Sequence, residues 1–416
     1  MAALQPVRGT HDLLPEEEWR HRHIAETARA VAERYGFLAM ATPIFEFTGV
    51  FSRSIGETSD IVSKEMYSFA DRSGDHITLR PENTAGVVRA LISNGLTQSL
   101  PQKFFYYGPM FRHERPQKGR LRQFHQTGVE LIGVATPLAD VEVVACGADF
   151  LDALGLLDRT RLDLNTLGDQ ESRQAYRAVL VGYFADLNDQ LSEDSRRRLE
   201  SNPLRILDSK DEGDRALIAG APSYADHLNA ASQDFFGAVK SGLDRLGIAY
   251  HVEPRLVRGL DYYCHTAFEF VADELGAQST VLAGGRYDGL VQTMGGPEVP
   301  GVGWASGVER VALMLGNVPP RPRPVVMVPL GEAAEAAALP LTHALRRAGI
   351  PVELGFTGNL KRRLARADKI GARIAVILGD NELAKGVAVL RDLDAGSQTE
   401  LPLGEVVLHL TREAGQ

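Results

Sequence analysis

Cysteine is nearly absent from this sequence, which has Cys146 and Cys264 among its 416 residues. The two lie far apart and form no CxxC pair, so we expect free thiols in a reducing compartment. Two thiols are too few to build a zinc cluster. His265, directly after Cys264, does not change this, and the sequence predicts no metal site.

Long hydrophobic runs are also lacking. No run approaches the roughly 18 apolar residues that cross a bilayer, and the first residues show no apolar core of a secretory signal. We therefore expect a cytoplasmic protein without membrane contact. The net charge of −9 argues against a surface coated with basic residues for nonspecific nucleic-acid binding. Residues 321–416 nevertheless carry two more basic than acidic residues, which is compatible with local basic patches for an RNA partner.

The order of the predicted elements indicates the fold class. A helix over 15–35 begins with Pro15 and three glutamates, and Gly36 ends it. Strand-like runs then follow in series while the helices cluster, which predicts an α+β fold with a mainly antiparallel sheet. These runs occupy 43–47, 104–112, 124–132, 264–271, 279–283 and the start of 301–315, which continues as a helix.

Two segments interrupt this pattern. Residues 170–245 are helical, charged and irregular, and we interpret them as an inserted helical domain. Residues 317–324, NVPPRPRP, form a stiff proline-rich linker. Beyond this linker strands alternate with helices, which predicts a small α/β domain with parallel strands. We therefore expect two main domains, 1–320 and 325–416.

A β-hairpin carries the first chemical pattern. Its two predicted strands flank a polar, basic loop, RPQKGRLRQ at 115–123. Alternate residues of a strand share a face, so Arg112 on the first strand lies on the same face as Gln126 and Glu130 on the second. That face suits the floor of a pocket, with Gly128 leaving room for a ligand. From the alternation alone, a solvated face with cross-strand ion pairs is the more usual interpretation. The loop cations suit a triphosphate or an RNA backbone, and also a soluble hairpin tip.

Taken together, these segments resemble the motifs of class II aminoacyl-tRNA synthetases. The FRHE sequence, the loop and the second strand resemble motif 2, and GWASGVERVALML at 303–315 resembles motif 3. The N-terminal helix followed by Pro43 resembles motif 1, which forms the dimer interface in that class. The resemblance implies a homodimer with an ATP-binding catalytic sheet.

Further segments resemble histidyl-tRNA synthetases in particular. The sequences RGLDYY at 258–263 and GGRYDGL at 284–290 are similar to the two signature motifs of that family. TLRPENTAG at 78–86 resembles its histidine-binding segment, and the C-terminal domain resembles its anticodon-binding domain. Asn83 stands where many relatives have glycine, and the second signature begins AGG rather than GGG.

The reaction that this resemblance implies has two steps. The carboxylate of L-histidine attacks the α-phosphorus of ATP, which enters with Mg²⁺, and the adenylate then transfers histidine to the 3′ end of tRNA(His). Positioning and charge neutralisation suffice for both steps, so arginines are expected in the site. The resemblance places Arg112, Arg120 and Arg310 on the phosphates and Glu114 near the adenine. It places Arg258 between the α-phosphate and the histidine carboxylate, so that Arg112 and Arg258 are the expected catalytic residues.

The resemblance also assigns polar residues to histidine itself. Acceptors for its α-ammonium group would be Glu82, Thr84 and Gln126. A neutral imidazole needs one acceptor and one donor, which Glu130 and the Tyr263 hydroxyl would supply. The full set expected around histidine is Glu82, Thr84, Gln126, Glu130, Arg258, Tyr262, Tyr263 and Tyr287.

Contacts with tRNA are expected in both domains. In the hairpin loop the candidates are Arg115, Gln117 and Lys118. In the C-terminal domain a helix should begin after Asn359, a good N-cap, and its basic face would be formed by Arg362, Arg366 and Lys369. This spacing is equally typical of a solvated helix face.

One alternative keeps the same fold without the activity. It is the synthetase-like regulatory subunit that partners ATP phosphoribosyltransferase. Such proteins generally lack the anticodon-binding domain and an intact RGLDYY segment. Because this sequence has both, the alternative is disfavoured.

Overall fold

The computed structural model describes residues 4–56, 59, 61–117, 119–209, 211–257 and 262–414. The chain divides into two compact units, Met1–Val318 and Pro319–Gln416. No described helix is both long enough and apolar enough to span a membrane.

The first unit contains two sheets with helices around them. Its strands are β1 (Leu38–Ala39), β2 (Phe45–Phe47), β3 (Tyr67–Ala70), β4 (His76–Leu79), β5 (Gln102–Phe111), β6 (Gln123–Ile132), β7 (Arg161–Thr166), β8 (His251–Val252), β9 (Cys264–Val271), β10 (Thr280–Arg286) and β11 (Gly301–Gly307). Its α-helices are α1 (Pro15–Arg34), α2 (Thr48–Ile55), α3 (Thr84–Ser93), α4 (Pro137–Ala153), α5 (Gln170–Ala185), α6 (Glu193–Ser201), α7 (Glu212–Ile218), α8 (Ala230–Leu246), α9 (Leu290–Thr293) and α10 (Val308–Met314).

The larger sheet has eight strands in the order β1-β5-β6-β11-β10-β9-β7-β8. Its outermost pairs, β1 with β5 and β7 with β8, are parallel. The pairs between them are antiparallel. A smaller antiparallel sheet has the order β2-β4-β3. The prediction of an α+β unit with a mainly antiparallel sheet is therefore confirmed.

The two faces of the large sheet have different coverings. Helices α1, α4, α8 and α10 pack on one face, where Trp304 stacks on Phe150 in the main hydrophobic core. On the other face α3 and α9 contribute to a second core that includes Tyr106, Met110 and Tyr287. The alternation of strand β6 explains this division, because Val129 belongs to the first core and Ile132 to the second.

The helical segment after β7 contains a hydrophobic cluster of its own. Its buried members run from Tyr176 on α5 to Tyr224. Helix α8 differs, although all but its last residue falls within the range 170–245 predicted for the insertion. It packs on α4, and its Phe236, Val239 and Leu243 join the main core. Its apolar face therefore belongs to the sheet-covering layer.

The second unit is a five-stranded sheet with helices. Its strands are β12 (Val325–Pro329), β13 (Val352–Leu354), β14 (Ile374–Leu378), β15 (Val387–Asp392) and β16 (Gln398–Pro402). Its helices are α11 (Glu332–Arg347), α12 (Leu360–Lys369), α13 (Asp380–Lys385) and α14 (Val406–Ala414). The strand order is β13-β12-β14-β15-β16.

The prediction that this unit has parallel strands is wrong for part of its sheet. Strands β13, β12 and β14 are parallel, but β15 and β16 are antiparallel to their neighbours. The reason lies in the connection between β14 and β15, which holds the short α13 and a left-handed turn at Gly386. A parallel crossover needs about a dozen residues or more, which residues 379–386 do not provide.

Candidate active site

A cavity of about 340 Å³ lies on the α3 side of the large sheet, at the β5–β6 hairpin and the facing ends of β10 and β11. The hairpin follows from the alternating pattern of its strands, and its register pairs Gly108 with Gln126 and Phe104 with Glu130. Nine residues assigned to the site from the sequence line the cavity: Glu82, Thr84, Arg112, Glu114, Arg120, Gln126, Tyr262, Tyr263 and Arg310.

Cationic side chains gather at one end of this cavity. Arg120 and Glu114 form an ion pair, with 2.9 Å between Nη1 and Oε2, and Arg112 Nη1 lies 3.8 Å from the other carboxylate oxygen of Glu114. A hydrogen bond to the backbone fixes the Arg112 side chain, because its Nε donates to the carbonyl oxygen of Pro81 at 2.9 Å. Arg310 donates from Nη1 to the carbonyl oxygen of Thr280 at 2.8 Å.

The pKa of Arg310 shows that these cations influence one another. Burial lowers this pKa, and the nearby guanidinium groups of Arg120 and Arg112 lower it further, while Glu114 raises it. Like charges in a poorly solvated cavity repel, and an anionic ligand between them relieves that repulsion. This end of the cavity is therefore suited to phosphate groups.

Carboxylates lie at the other end, beside helix α3. Glu82 accepts hydrogen bonds from the backbone N–H groups of Thr84 (2.7 Å) and Ala85 (3.0 Å), so it also caps the helix. The Thr84 hydroxyl donates to Glu130 Oε1 at 2.7 Å, and the Tyr287 hydroxyl donates to Glu130 Oε2. Glu130 and Tyr287 are each 1 % exposed, so they lie directly behind the cavity wall.

Burial changes the acidity of both carboxyl groups. It raises the pKa of Glu130 to about 8, against the hydrogen bonds from Tyr287 and Thr84 that lower it. It also raises the pKa of Glu82, although two backbone N–H groups favour the ionised form. Glu130 can therefore exist in either protonation state near neutral pH, depending on what binds next to it.

Aromatic rings close this end of the cavity. The ring centroids of Tyr262 and Tyr263 are 4.7 Å apart, and those of Tyr262 and Tyr287 are 5.8 Å apart. The Tyr106 hydroxyl donates to Gln126 Oε1 at 3.2 Å, which orients the amide of Gln126. The result is a wall with an apolar surface and a few fixed polar groups, as small-molecule pockets usually have.

The prediction that Gly128 leaves room for a ligand is wrong. A Cβ atom at this position would lie 2.5 Å from the Tyr106 hydroxyl oxygen and 2.5 Å from the Trp304 carbonyl oxygen. The space beside Gly128 is thus taken by protein atoms. The missing side chain lets Tyr106 reach Gln126, so the glycine acts on the pocket through its neighbours.

The remaining predicted residues lie elsewhere. Arg115 and Gln117 are exposed on the hairpin loop. Helix α12 of the second unit presents the other three basic candidates, Arg362, Arg366 and Lys369, all exposed. Asn359 is the N-cap predicted for this helix, with its side chain accepting from the Arg362 N–H at 3.0 Å. Arg258 and Lys118 lie outside the described residues.

The structure also adds residues that the sequence did not single out for the site. Phe124 and Glu309 line the cavity, and the Arg112 guanidinium lies 5.3 Å from the centre of the Phe124 ring. Glu309 accepts from the backbone N–H of His125 at 2.8 and 2.9 Å, which joins α10 to β6. The sequence could have indicated Glu309 as a site residue, because it directly precedes Arg310 in the segment that resembles motif 3.

An antiparallel sheet with arginines from a hairpin and from a strand–helix segment around one cavity defines a class II aminoacyl-tRNA synthetase unit. Comparisons with known proteins narrow this class. The family model described as histidyl-tRNA synthetase matches residues 9–311, and one described as anticodon binding domain matches residues 324–413.

Individual relatives agree with the family models. The histidine–tRNA ligase of Rhodospirillum rubrum is 62 % identical over 413 residues, covering 99 % of this chain and 100 % of that one. The corresponding protein of Gluconacetobacter diazotrophicus is 60 % identical, with 100 % of both chains covered. The crystal structure of apo S. aureus histidyl-tRNA synthetase matches with a TM-score of 0.84 and 34 % identity, covering 98 % of this chain and 100 % of that one. This chain belongs to the histidyl-tRNA synthetase family.

Proposed function

We propose that this protein is a histidine–tRNA ligase, which activates L-histidine with ATP and transfers it to tRNA(His). One observation carries the proposal. A single cavity has clustered arginines at one end and, at the other, carboxyl, hydroxyl and amide groups with tyrosine rings. The first end suits a triphosphate and the second suits an amino acid with a polar ring, so the two reactants would meet between them.

The arginine end binds the nucleotide. Arg112 neutralises the α-phosphate, and its bond to the Pro81 carbonyl fixes the position of its guanidinium group. Arg120 and Arg310 hold the rest of the phosphate chain, and Glu114 lies near the adenine. ATP enters with Mg²⁺, which binds the phosphate oxygens and keeps several water ligands.

Arg258 completes the charge neutralisation. It precedes Tyr262 and Tyr263 in the segment RGLDYY, and those tyrosines line the histidine end of the cavity. We place its guanidinium group between the α-phosphate and the histidine carboxylate. There it offsets the charge that develops at phosphorus as the carboxylate attacks.

The carboxylate end binds histidine. The α-ammonium group donates to Glu82, Thr84 and Gln126. The imidazole N–H group donates to Glu130, so histidine binding must displace one of the two hydroxyls, of Thr84 and Tyr287, that Glu130 now accepts from. The Tyr263 hydroxyl donates to the other ring nitrogen. Tyr262 flanks the ring, and Tyr287 packs against Tyr262 from behind the wall. A site with such fixed polar groups rejects ligands that cannot pair them by factors of about 10⁴–10⁵.

The second step requires tRNA(His). Arg115, Gln117 and Lys118 on the hairpin loop contact its acceptor end, and the exposed basic residues of α12 contact its anticodon stem. Translation supplies this partner in the cytoplasm, where we place the protein. Its active form is a homodimer. In support, Leu38, Phe45 and Phe47 in the motif 1 region are 71 %, 56 % and 62 % exposed, which is typical of surfaces that become buried on association.

The regulatory-subunit alternative is not favoured. The C-terminal unit matches an anticodon-binding family model over residues 324–413, and the arginines that suit ATP are present in the cavity. A subunit that only regulates another enzyme needs neither feature.

The test is ATP–pyrophosphate exchange with the purified full-length protein. We expect exchange to depend on histidine and to remain at background with other amino acids. Charging of tRNA(His), measured in parallel with radiolabelled histidine, tests the second step. Absence of histidine-dependent exchange would refute the proposal.

A further inference from the structure

Three residues far apart in sequence meet beside strand β6, where Glu309 lines the active-site cavity and also reaches two histidines outside that cavity. They are His21 on α1, His125 on β6 and Glu309 at the start of α10. One potential metal-ligating atom from each lies within 4.8 Å of the others. Among the residues that the structure describes, this is the one cluster of three or more His, Cys, Asp or Glu side chains with such spacing.

The histidines of this cluster are held in place by different contacts. His125 Nδ1 lies 3.0 Å from Glu309 Oε1, and the same carboxylate accepts from the His125 backbone N–H. The His125 ring also stacks on Tyr107, with 5.8 Å between the centroids. His21 meets His125 edge to face at 5.3 Å. The potential ligand atoms of the three side chains are therefore already close together in the folded chain.

His21 has an unsatisfied atom in this arrangement. Its side chain is 6 % exposed, and its Nδ1 atom is buried without a hydrogen-bond partner. Buried polar atoms in native structures nearly always have a partner, so an orphan atom calls for an explanation. A bound ion is one such explanation, because an imidazole uses one nitrogen for the ion and donates from the other.

A second cavity borders the cluster. His11, Glu17, His21 and Glu309 are among the residues that line it. An ion held by the cluster would thus have a fourth position that water can occupy from the cavity. Two imidazole nitrogens, one carboxylate oxygen and one water form a common tetrahedral set for Zn²⁺.

We propose that His21, His125 and Glu309 bind one divalent transition-metal ion of the zinc type. The two imidazole nitrogens favour a transition metal over Mg²⁺ and Ca²⁺, which prefer oxygen ligands. The ion joins α1, β6 and α10, and β6 and α10 also carry Gln126 and Arg310 of the active-site cavity. Its effect is to hold the strand and the helix that form opposite parts of that cavity in one fixed relation.

The experiment uses full-length protein without a polyhistidine tag, freed of metal by a chelator and titrated with Zn²⁺ against a chromophoric zinc indicator. The wild-type protein should bind one Zn²⁺ per chain at this site. His21→Gln should weaken that binding by about 100-fold or more, since even changes in residues that only support a metal ligand cost about 10–100-fold. Zn²⁺ should also raise the Tm of the wild-type protein and not that of the variant.

The matched control is His23→Gln, two residues further along the same helix and outside the cluster. It should bind Zn²⁺ as the wild-type protein does. Equal Zn²⁺ affinity in His21→Gln and His23→Gln, or no binding by the wild-type protein, overturns the proposal. If His21→Gln does not fold, anomalous diffraction from wild-type crystals grown with Zn²⁺ decides. A peak among His21, His125 and Glu309 supports the site, and its absence there refutes it.

Discussion

The hydroxyl of Thr84 donates a hydrogen bond to the buried carboxyl group of Glu130 at 2.7 Å. Thr84 is part of the cavity wall, whereas Glu130 lies behind it with Tyr287 on its other oxygen. This contact therefore connects the surface that histidine would touch with the group proposed to accept its imidazole proton. Loss of the hydroxyl should disturb histidine more than ATP.

Thr84→Val tests this connection, because it keeps the shape of the side chain and removes the donor. Leaving a buried hydrogen-bond partner unsatisfied costs about 1–3 kcal/mol, so we expect the KM for histidine to rise roughly 5- to 100-fold. The KM for ATP should change little. Thr411→Val in the second unit, whose hydroxyl donates to the Val407 carbonyl, is the control and should behave as wild type. An unchanged KM for histidine in Thr84→Val would contradict the assignment.

Glu130→Gln should alter the dependence of stability on pH. The pKa of Glu130 is raised to about 8 in the folded protein, while the unfolded chain releases this proton near the ordinary value of 4.5. Between these values the folded state holds more protons than the unfolded state, so a rise in pH lowers the free energy of unfolding. The stability that the folded chain gains by holding this proton is fully present below pH 4.5. It is lost as the pH rises through about 8.

The measurement is urea unfolding of both proteins at pH 5 and pH 8. A tenfold change in proton affinity corresponds to about 1.4 kcal/mol, so the wild-type protein should lose a few kcal/mol more than Glu130→Gln over this range. The raised pKa values of Glu82 and Asp140 act in the same direction in both proteins and cancel in the comparison. Equal pH dependence in the two proteins would show that Glu130 titrates normally.

Arg310→Ala should weaken the use of ATP. Removing one preorganised hydrogen-bond donor from a site where negative charge develops typically costs about 10²–10³ in rate, and we expect a fall of this size in kcat/KM for ATP in the exchange reaction. Arg22→Ala is the control, since Arg22 forms an exposed ion pair with Glu26 on α1. Wild-type exchange kinetics in Arg310→Ala would exclude Arg310 from the phosphate site.

Arg258→Ala should separate binding from chemistry. Its proposed position is between the two reacting groups, so it should lower the rate of adenylate formation far more than the affinity for ATP. Single-turnover kinetics and equilibrium binding of ATP give the two quantities separately. A variant with near wild-type turnover would refute the role assigned to Arg258.

The sequence predicted the hairpin and its chemistry because both follow from local patterns. The period-two alternation in 124–132 places Gln126 on the cavity side and Val129 in the opposite core. The same alternation does not show which side chains of the neighbouring strands lie next to a given residue, or how much space they fill. Tyr106 and Trp304 fill the space beside Gly128, and both come from strands whose register with β6 is a tertiary property.

Contacts between distant residues were the other part that the sequence left undetermined. Glu130 and Tyr287 were assigned to one pocket by resemblance, but the hydrogen bond that joins them spans 157 residues. His21 and His125 carry no shared motif, so their approach depends on how α1 packs against the sheet. The direction of β15 was also wrongly predicted as parallel. Hydrophobic periodicity identifies the strand but does not show whether the connection before it reverses the chain or crosses over the sheet.

The basic face of α12 gives the last prediction. Arg362, Arg366 and Lys369 are exposed, and Arg366 pairs with Glu353 at 2.8 Å. If Arg362 contacts an RNA phosphate, Arg362→Glu should raise the KM for tRNA(His) and reduce the slope of log affinity against log salt by about one. Histidine-dependent ATP–pyrophosphate exchange should stay at the wild-type rate, since the adenylation cavity lies in the first unit.

The control is Arg412→Glu, which changes another exposed arginine of the second unit, on α14. It should leave both reactions unchanged. If the two variants weaken tRNA use equally, a general charge effect accounts for the result. If Arg362→Glu alone does so, the face of α12 is a specific tRNA contact.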